Sequence, residues 1–207
     1  MHPINRRELW QGELALVLAI ILQFTLSPKL QLGPKYGVSF LLLLLVIAVA
    51  FTAPRRHIGK AKYHVTLSTL LIGLVSIANA AELAMLTGAL IHGSSSIPGK
   101  DLLRGALAVF LTNIIVFGLW YWELDSPGLS GRRKRDKDDF QFPQSGRGNW
   151  RPMFFDYIYT SMTNSTAFSP TDTMPLTHAA KLLMSLQALI SLLTVVLVTA
   201  RAVNILG

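Results

Sequence analysis

Residues 65–91 read VTLSTLLIGLVSIANAAELAMLTGALI, 27 positions with one charged side chain, Glu82. A bilayer core about 30 Å thick is crossed by roughly 17–25 apolar helical residues. Four other stretches are also apolar: 10–26, 38–53, 102–122 and 179–206. The first is short and carries Glu13 and Gln23. A water-soluble fold of 207 residues could not hide several such runs. The expected fold class is therefore all-α: a polytopic membrane helical bundle of about five transmembrane helices, with one short extra helix in the last third.

Composition points the same way. Hydrophobic residues make up 51% of the chain and charged residues 14%, against about 25% charge in a soluble domain. The charges gather in islands between the apolar runs. A net charge of +8 in a soluble protein would raise nucleic acid as a partner. Here the basic residues flank spans, so topology and lipid headgroups are the expected reading, and no nucleic acid. The chain contains no cysteine, which excludes disulfides, a thiolate nucleophile and any Cys-based metal site. After the first run comes Thr25-Leu26-Ser27-Pro28-Lys29, with no small-residue cleavage site, so an uncleaved first helix is expected.

Three regions follow. Residues 1–122 are a four-span membrane region, ending in Trp120, Tyr121 and Trp122, an aromatic cluster of the kind found at the membrane–water interface. Residues 123–152 form a polar, charged stretch rich in Gly, Pro and mixed charge, expected to be a solvated loop. Residues 153–207 differ in shape: a short aromatic segment too short to span, a polar proline-broken stretch, then a long apolar run. Short helix, polar loop and long helix form the pattern of a re-entrant loop, because irregular backbone at membrane depth must be buried in protein or line water.

The residues in that last third resemble the two-helix potassium-channel pore domain family. Residues 155–163 (FDYIYTSMT) are similar to its pore helix. Residues 166–177 (TAFSPTDTMPLT) fall where the family carries its selectivity filter, with Asp172 and Pro175 matching the filter's closing Asp and the Pro after it. Residues 181–201 resemble the pore-lining inner helix. The match covers about the last 55 residues. The whole chain also resembles small bacterial membrane proteins in which four spans precede such a hairpin. The resemblance implies an ion channel of the cell membrane, a tetramer, passing monovalent cations.

The departures from the family are specific. Its two filter glycines fall on Ser169 and Thr171, and its Tyr on Pro170. A carbonyl-lined filter needs positive φ at alternate positions, which Gly adopts and Ser or Thr resist. Pro170 fixes its own φ and restricts Ser169. A standard potassium filter cannot form here. What remains are hydroxyls and one carboxylate, on Thr163, Ser165, Thr166, Ser169, Thr171 and Asp172, which in a tetramer could form rings. An acidic ring favours cations.

Charge bias sets a conflict. With the N-terminus and the 55–62 and 132–151 islands on the cytoplasmic side, 13 of the 19 Lys and Arg lie inside, as the positive-inside rule prefers. The filter-like loop then enters from the cytoplasm, opposite to a potassium channel. The pore is inverted, the first run does not cross, or the hairpin is no pore.

Four polar residues fall within spans: Asn79, Glu82, Asn113 and Gln187. A membrane-embedded carboxylate is a functional-site hypothesis by default. Against it stands a protonated Glu82 bonded to a neighbouring helix, and Asn113 and Gln187 read first as interhelical glue. A non-conducting scaffold, or a small proton-coupled transporter built on Glu82, is the alternative function. No enzyme chemistry is expected. Ser161, His178 and Asp156 lack a nucleophile elbow. The histidines show no metal-ligand spacing, and residues 93–100 (GSSSIPGK) lack the strand and the Ser/Thr of a phosphate loop. No cofactor or metal is predicted.

Overall fold

A computed structural model describes residues 6–25, 61–91, 98–125, 138–148, 150–166 and 172–206, with scattered helical positions between 40 and 47. The elements are α1 (Arg6–Phe24), α2 (Ala61–Ile91), α3 (Gly99–Asp125), β1 (Phe140–Gln141), α4 (Phe154–Thr166), β2 (Met174–Pro175) and α5 (His178–Leu206). The fold is an all-α helical bundle with one two-residue ribbon. Among the described residues, three helical segments are long and apolar enough to cross a bilayer: Thr66–Leu90, Gly99–Asp125 and His178–Thr199. Trp10–Phe24 is a shorter apolar helix. Most of the expected second span lies outside the described residues, although Phe40, Leu43, Leu44, Val46 and Ile47 are helical.

α3 is the central helix. Every residue from Thr112 to Leu119 is buried, because α1, α2, α4 and α5 all pack on it. A helix apolar all round belongs in such a place. α2 buries one face, carrying Leu71, Ile72, Val75, Ala78, Asn79, Glu82, Leu83 and Leu86. α5 buries a narrow stripe at helical spacing: Ala180, Met184, Gln187, Ser191 and Thr194. Its other side exposes Leu182, Leu186, Leu189, Leu193 and Val196, an apolar surface suited to lipid or to a second copy.

Buried side chains form two apolar clusters. The larger joins Leu16, Ala19 and Ile20 of α1, residues 71–78 of α2, residues 115–122 of α3, and Tyr157, Ala180 and Met184. The smaller joins Leu83 and Leu86 of α2 to Leu102, Ala106, Ala108 and Val109 of α3. α2 and α3 thus run antiparallel. Leu22 and Ile190 touch both clusters and mark the level where they meet.

Two expectations change. Residues 123–152 are not uniformly a solvated loop: α3 continues to Asp125, and Asp139, Phe140 and Phe142 are buried. Polar, glycine-rich sequence without a period carries no sign of such a short ribbon. Nor do Tyr121 and Trp122 form an interfacial belt; both are fully buried in the larger cluster. Trp122 packs on Phe154 at 4.9 Å between ring centroids, and Tyr121 on Phe140 at 5.1 Å. The short helix and ribbon that follow α3 cover the aromatic end that would otherwise meet headgroups.

Candidate functional site

α4 starts where local chemistry dictates. The Asp156 carboxylate accepts the Met153 N–H at 2.7 Å, the back-bond of a capping box that satisfies an orphan donor at a helix start. The acid also sits at the positive end of the helix dipole. With 13 residues, α4 extends about 20 Å at 1.5 Å per residue, too short to cross a bilayer core. It runs on to Thr166, four residues beyond the aromatic segment.

The chain then comes back. The Thr160 hydroxyl, halfway along α4, donates to the Thr173 hydroxyl at 3.2 Å. Immediately after, β2 pairs antiparallel with β1, Phe140 opposite Pro175 and Gln141 opposite Met174. The Leu176 N–H reaches the Asp139 carbonyl at 2.8 Å. β1 is itself tied to the end of α3: one oxygen of Asp125 accepts the N–H groups of Asp139 and Phe140 at 2.5 and 3.0 Å. The other accepts the Tyr157 hydroxyl at 2.7 Å. The Thr177 hydroxyl donates to Asp139 at 2.5 Å and accepts the Ala180 N–H at 3.3 Å, capping α5. The start of α4, the end of α3 and the start of α5 therefore share one level. α4 leads away from that level, and residues 174–177 stand at it again.

The tip of α4 is fastened by Gln187 of α5. Its Nε2 donates to the Ser161 hydroxyl at 2.6 Å, the Ser161 carbonyl at 3.0 Å and the Ser165 hydroxyl at 2.7 Å. Its Oε1 accepts the Asn164 amide at 2.9 Å and the Tyr121 hydroxyl. Asn164 also donates to the Met184 carbonyl at 3.0 Å. Ser161 donates to the Ile114 carbonyl of α3 at 2.6 Å. Each of these buried groups has partners, as a low-dielectric interior requires.

The predicted residues separate on this frame. Ser165 turns inward to Gln187. Thr163 is half-buried and its hydroxyl donates back to the Tyr159 carbonyl at 2.8 Å. Thr166 and Asp172 are exposed at the two ends of the return segment. Ser169, Pro170 and Thr171 lie outside the described residues. Gln187 faces α4 and is fully buried, and Asn113 donates to Ser191 at 3.0 Å. Glu82 and Asn79 are buried on α2. None of Tyr121, Ser161, Asn164, Asp125 and Asp139 was expected to join a bonding network. Only Ser161 and Asn164 carried a signal: they are spaced i, i+3 and so share a face of the short helix with Ser165. Among the described residues no group of His, Asp and Glu is arranged to hold a metal.

No family model matches the chain, and neither the curated proteins nor the solved structures contain a match.

Proposed function

We propose that this chain is a multi-pass protein of the cell membrane, with about five crossing helices, whose α3–α4–α5 unit is a potassium-channel-like pore hairpin. It passes monovalent cations through a non-standard filter as a homo-oligomer, a tetramer by the logic of the family it resembles. The observation that carries this reading is that α4, a helix of half-membrane length, starts at the level where β2 and Thr177 stand again. Thr166 and Asp172 are exposed on the outside of the single chain, and α5 presents an apolar face. Association of copies through that face would bring hydroxyls and one carboxylate per subunit around a shared axis, without the glycine-built carbonyl ladder of a potassium filter. The distribution of Lys and Arg supports an inverted hairpin, entering from the cytoplasm.

The test is cation flux. Purified protein in liposomes should take up potassium or rubidium above protein-free vesicles, and Asp172→Asn should reduce that flux. Flux at background from a folded tetramer would overturn the reading.

A second reading has its own observation. Gln187, Asn164, Ser161 and Ser165 satisfy one another within one chain, so the hairpin is a stable element without an axis. That favours a non-conducting membrane scaffold, for which a monomer or dimer in mild detergent is expected.

A further inference from the structure

The two apolar clusters of the bundle are separated by a polar layer. Leu22 and Ile190 touch both clusters, and the residues following them are Gln23 and Ser191. On α2, Ala78 belongs to the larger cluster and Leu83 to the smaller, and between them stand Asn79 and Glu82. On α3, Val109 and Ile115 bracket Thr112 and Asn113 in the same way. Asn113 donates to Ser191 at 3.0 Å, which ties α3 to α5 at this level. All six residues just named as polar are buried, Glu82 at 3% exposure and Asn113 at 1%.

On α2 and α3, Asn79 Oδ1, Glu82 Oε2 and Asn113 Oδ1 accept no hydrogen bond. Buried acceptors are ordinarily satisfied, and an ionised carboxylate with a bare oxygen at membrane depth is the most costly kind of exception. What Asn79 Oδ1 and Glu82 Oε2 lack on their shared helix face is a donor. Asn79 and Glu82 are i, i+3 on one helix face, with Cβ atoms about 5–6 Å apart. One hydrogen placed on Glu82 Oε2 makes it a donor that reaches Asn79 Oδ1, and satisfies both orphans together.

We propose that Asn79 and Glu82 form a proton-binding site in the core of the membrane bundle, in which the carboxyl O–H of Glu82 is donated to Asn79. The kind of acceptor selects a proton over a metal ion. Hard divalent cations take six or more oxygens, and a dehydrated potassium ion draws on a full carbonyl cage; two oxygens on one helix face supply neither. Other titratable groups of the surrounding helices stand eight or more residues along the chain from the polar residues of this layer. Glu13 of α1, Glu123 and Asp125 of α3, and His178 and Lys181 of α5 flank the larger cluster. Lys100, Asp101 and Arg104 of α3 flank the smaller. Between residues 65 and 91, Glu82 is the only charged residue. The site is separate from residues 154–177 and stands or falls without the pore.

Infrared spectroscopy of the full chain in liposomes tests it. The wild-type minus Glu82→Gln difference spectrum at neutral pH should contain one carboxylic-acid C=O band, which shifts in Asn79→Leu, where the acceptor is gone. The band should vanish on alkaline titration and return on acidification, and ignore added sodium or potassium. Absence of the band in folded wild type would overturn the proposal, as would its loss on adding either salt at constant pH. Should Glu82→Gln fail to fold, Asn79→Leu decides alone: an unmoved spectrum refutes the shared proton.

Discussion

Gly118 of α3 faces the backbone of Ile158 in α4 so closely that a Cβ on Gly118 would lie 3.2 Å from the Ile158 Cα and 2.5 Å from its Cδ1. The two helices meet backbone to side chain at this point, as small residues allow in membrane bundles. The approach sets the depth at which α4 hangs in the bundle. Gly118→Ala should lower thermal stability by about 1–3 kcal/mol, the usual range for overpacking. Ile158→Ala removes the Cδ1 and Cγ1 that the new methyl meets. Thermal denaturation of the two single variants and the double should show non-additivity, the double variant recovering part of the Gly118→Ala loss.

Gln187 holds the tip of α4 through both ends of its amide. Leucine fits the volume but makes none of these bonds, and leaves Asn164 and the Tyr121 hydroxyl short of an acceptor. Gln187→Leu should destabilise the fold by at least about 1–3 kcal/mol, the penalty for a single buried orphan. Loss of the monodisperse peak in size-exclusion chromatography at lower temperature than wild type would register it; an unchanged profile would show that the network is dispensable.

Asp125 gathers the return segment. Replacing it with Ala strands the N–H groups of Asp139 and Phe140 and the Tyr157 hydroxyl, so the ribbon should loosen. Limited proteolysis should cut residues 138–150 faster in Asp125→Ala, and Asp125→Asn, which keeps an acceptor oxygen, should fall between the two. Equal cleavage rates would mean that the ribbon is held by β2 and the aromatic contacts alone.

Glu8, ahead of the apolar part of α1, lies in the field of Asp156. Burial first, and that like charge second, hold its carboxyl above the usual carboxylate range. A group whose folded value is raised contributes stability that is present below its unfolded value and lost as pH rises through the folded one. Acidification from neutral pH should thus relieve a penalty at this site, and Glu8→Gln should remove it at neutral pH. Melting curves of wild type and variant should differ most at neutral pH and converge toward acid. A variant less stable than wild type at neutral pH would contradict the sign.

The helices whose length alone identifies them were legible. Residues 65–91, 102–122 and 179–206 are too long and apolar to belong anywhere else, and they appear as α2, α3 and α5 with ends moved by a few residues. The short helix was legible because its aromatic segment cannot span and a polar, proline-broken stretch follows. What the chain does not display is pairing. Gln187 was visible as a polar residue in a span, but its bonds to Ser161, Ser165 and Asn164 depend on the register between α4 and α5. Gly118 is one glycine among 15, singled out only by Ile158 lying across it. Asp125 and Asp139 sit in a charged stretch whose composition is that of a solvated loop, and their roles arise from a ribbon with no period to detect. Asn79 and Glu82 stood out as costly residues, yet the layer they share with Asn113 and Ser191 exists only after the helices pack.

A pore hairpin requires that α4 enter and its return segment leave on one face of the membrane. The chain has no cysteine, so single introduced cysteines report without background. Met153 and Leu176, exposed at the entry and the exit, and Lys100, exposed at the far end of α3, are the positions to compare. In sealed membranes, a membrane-impermeant thiol reagent should label Met153→Cys and Leu176→Cys from the same side and Lys100→Cys only from the other. Labelling of Met153→Cys and Leu176→Cys from opposite sides would make α4 and its loop a crossing segment and contradict the re-entrant hairpin.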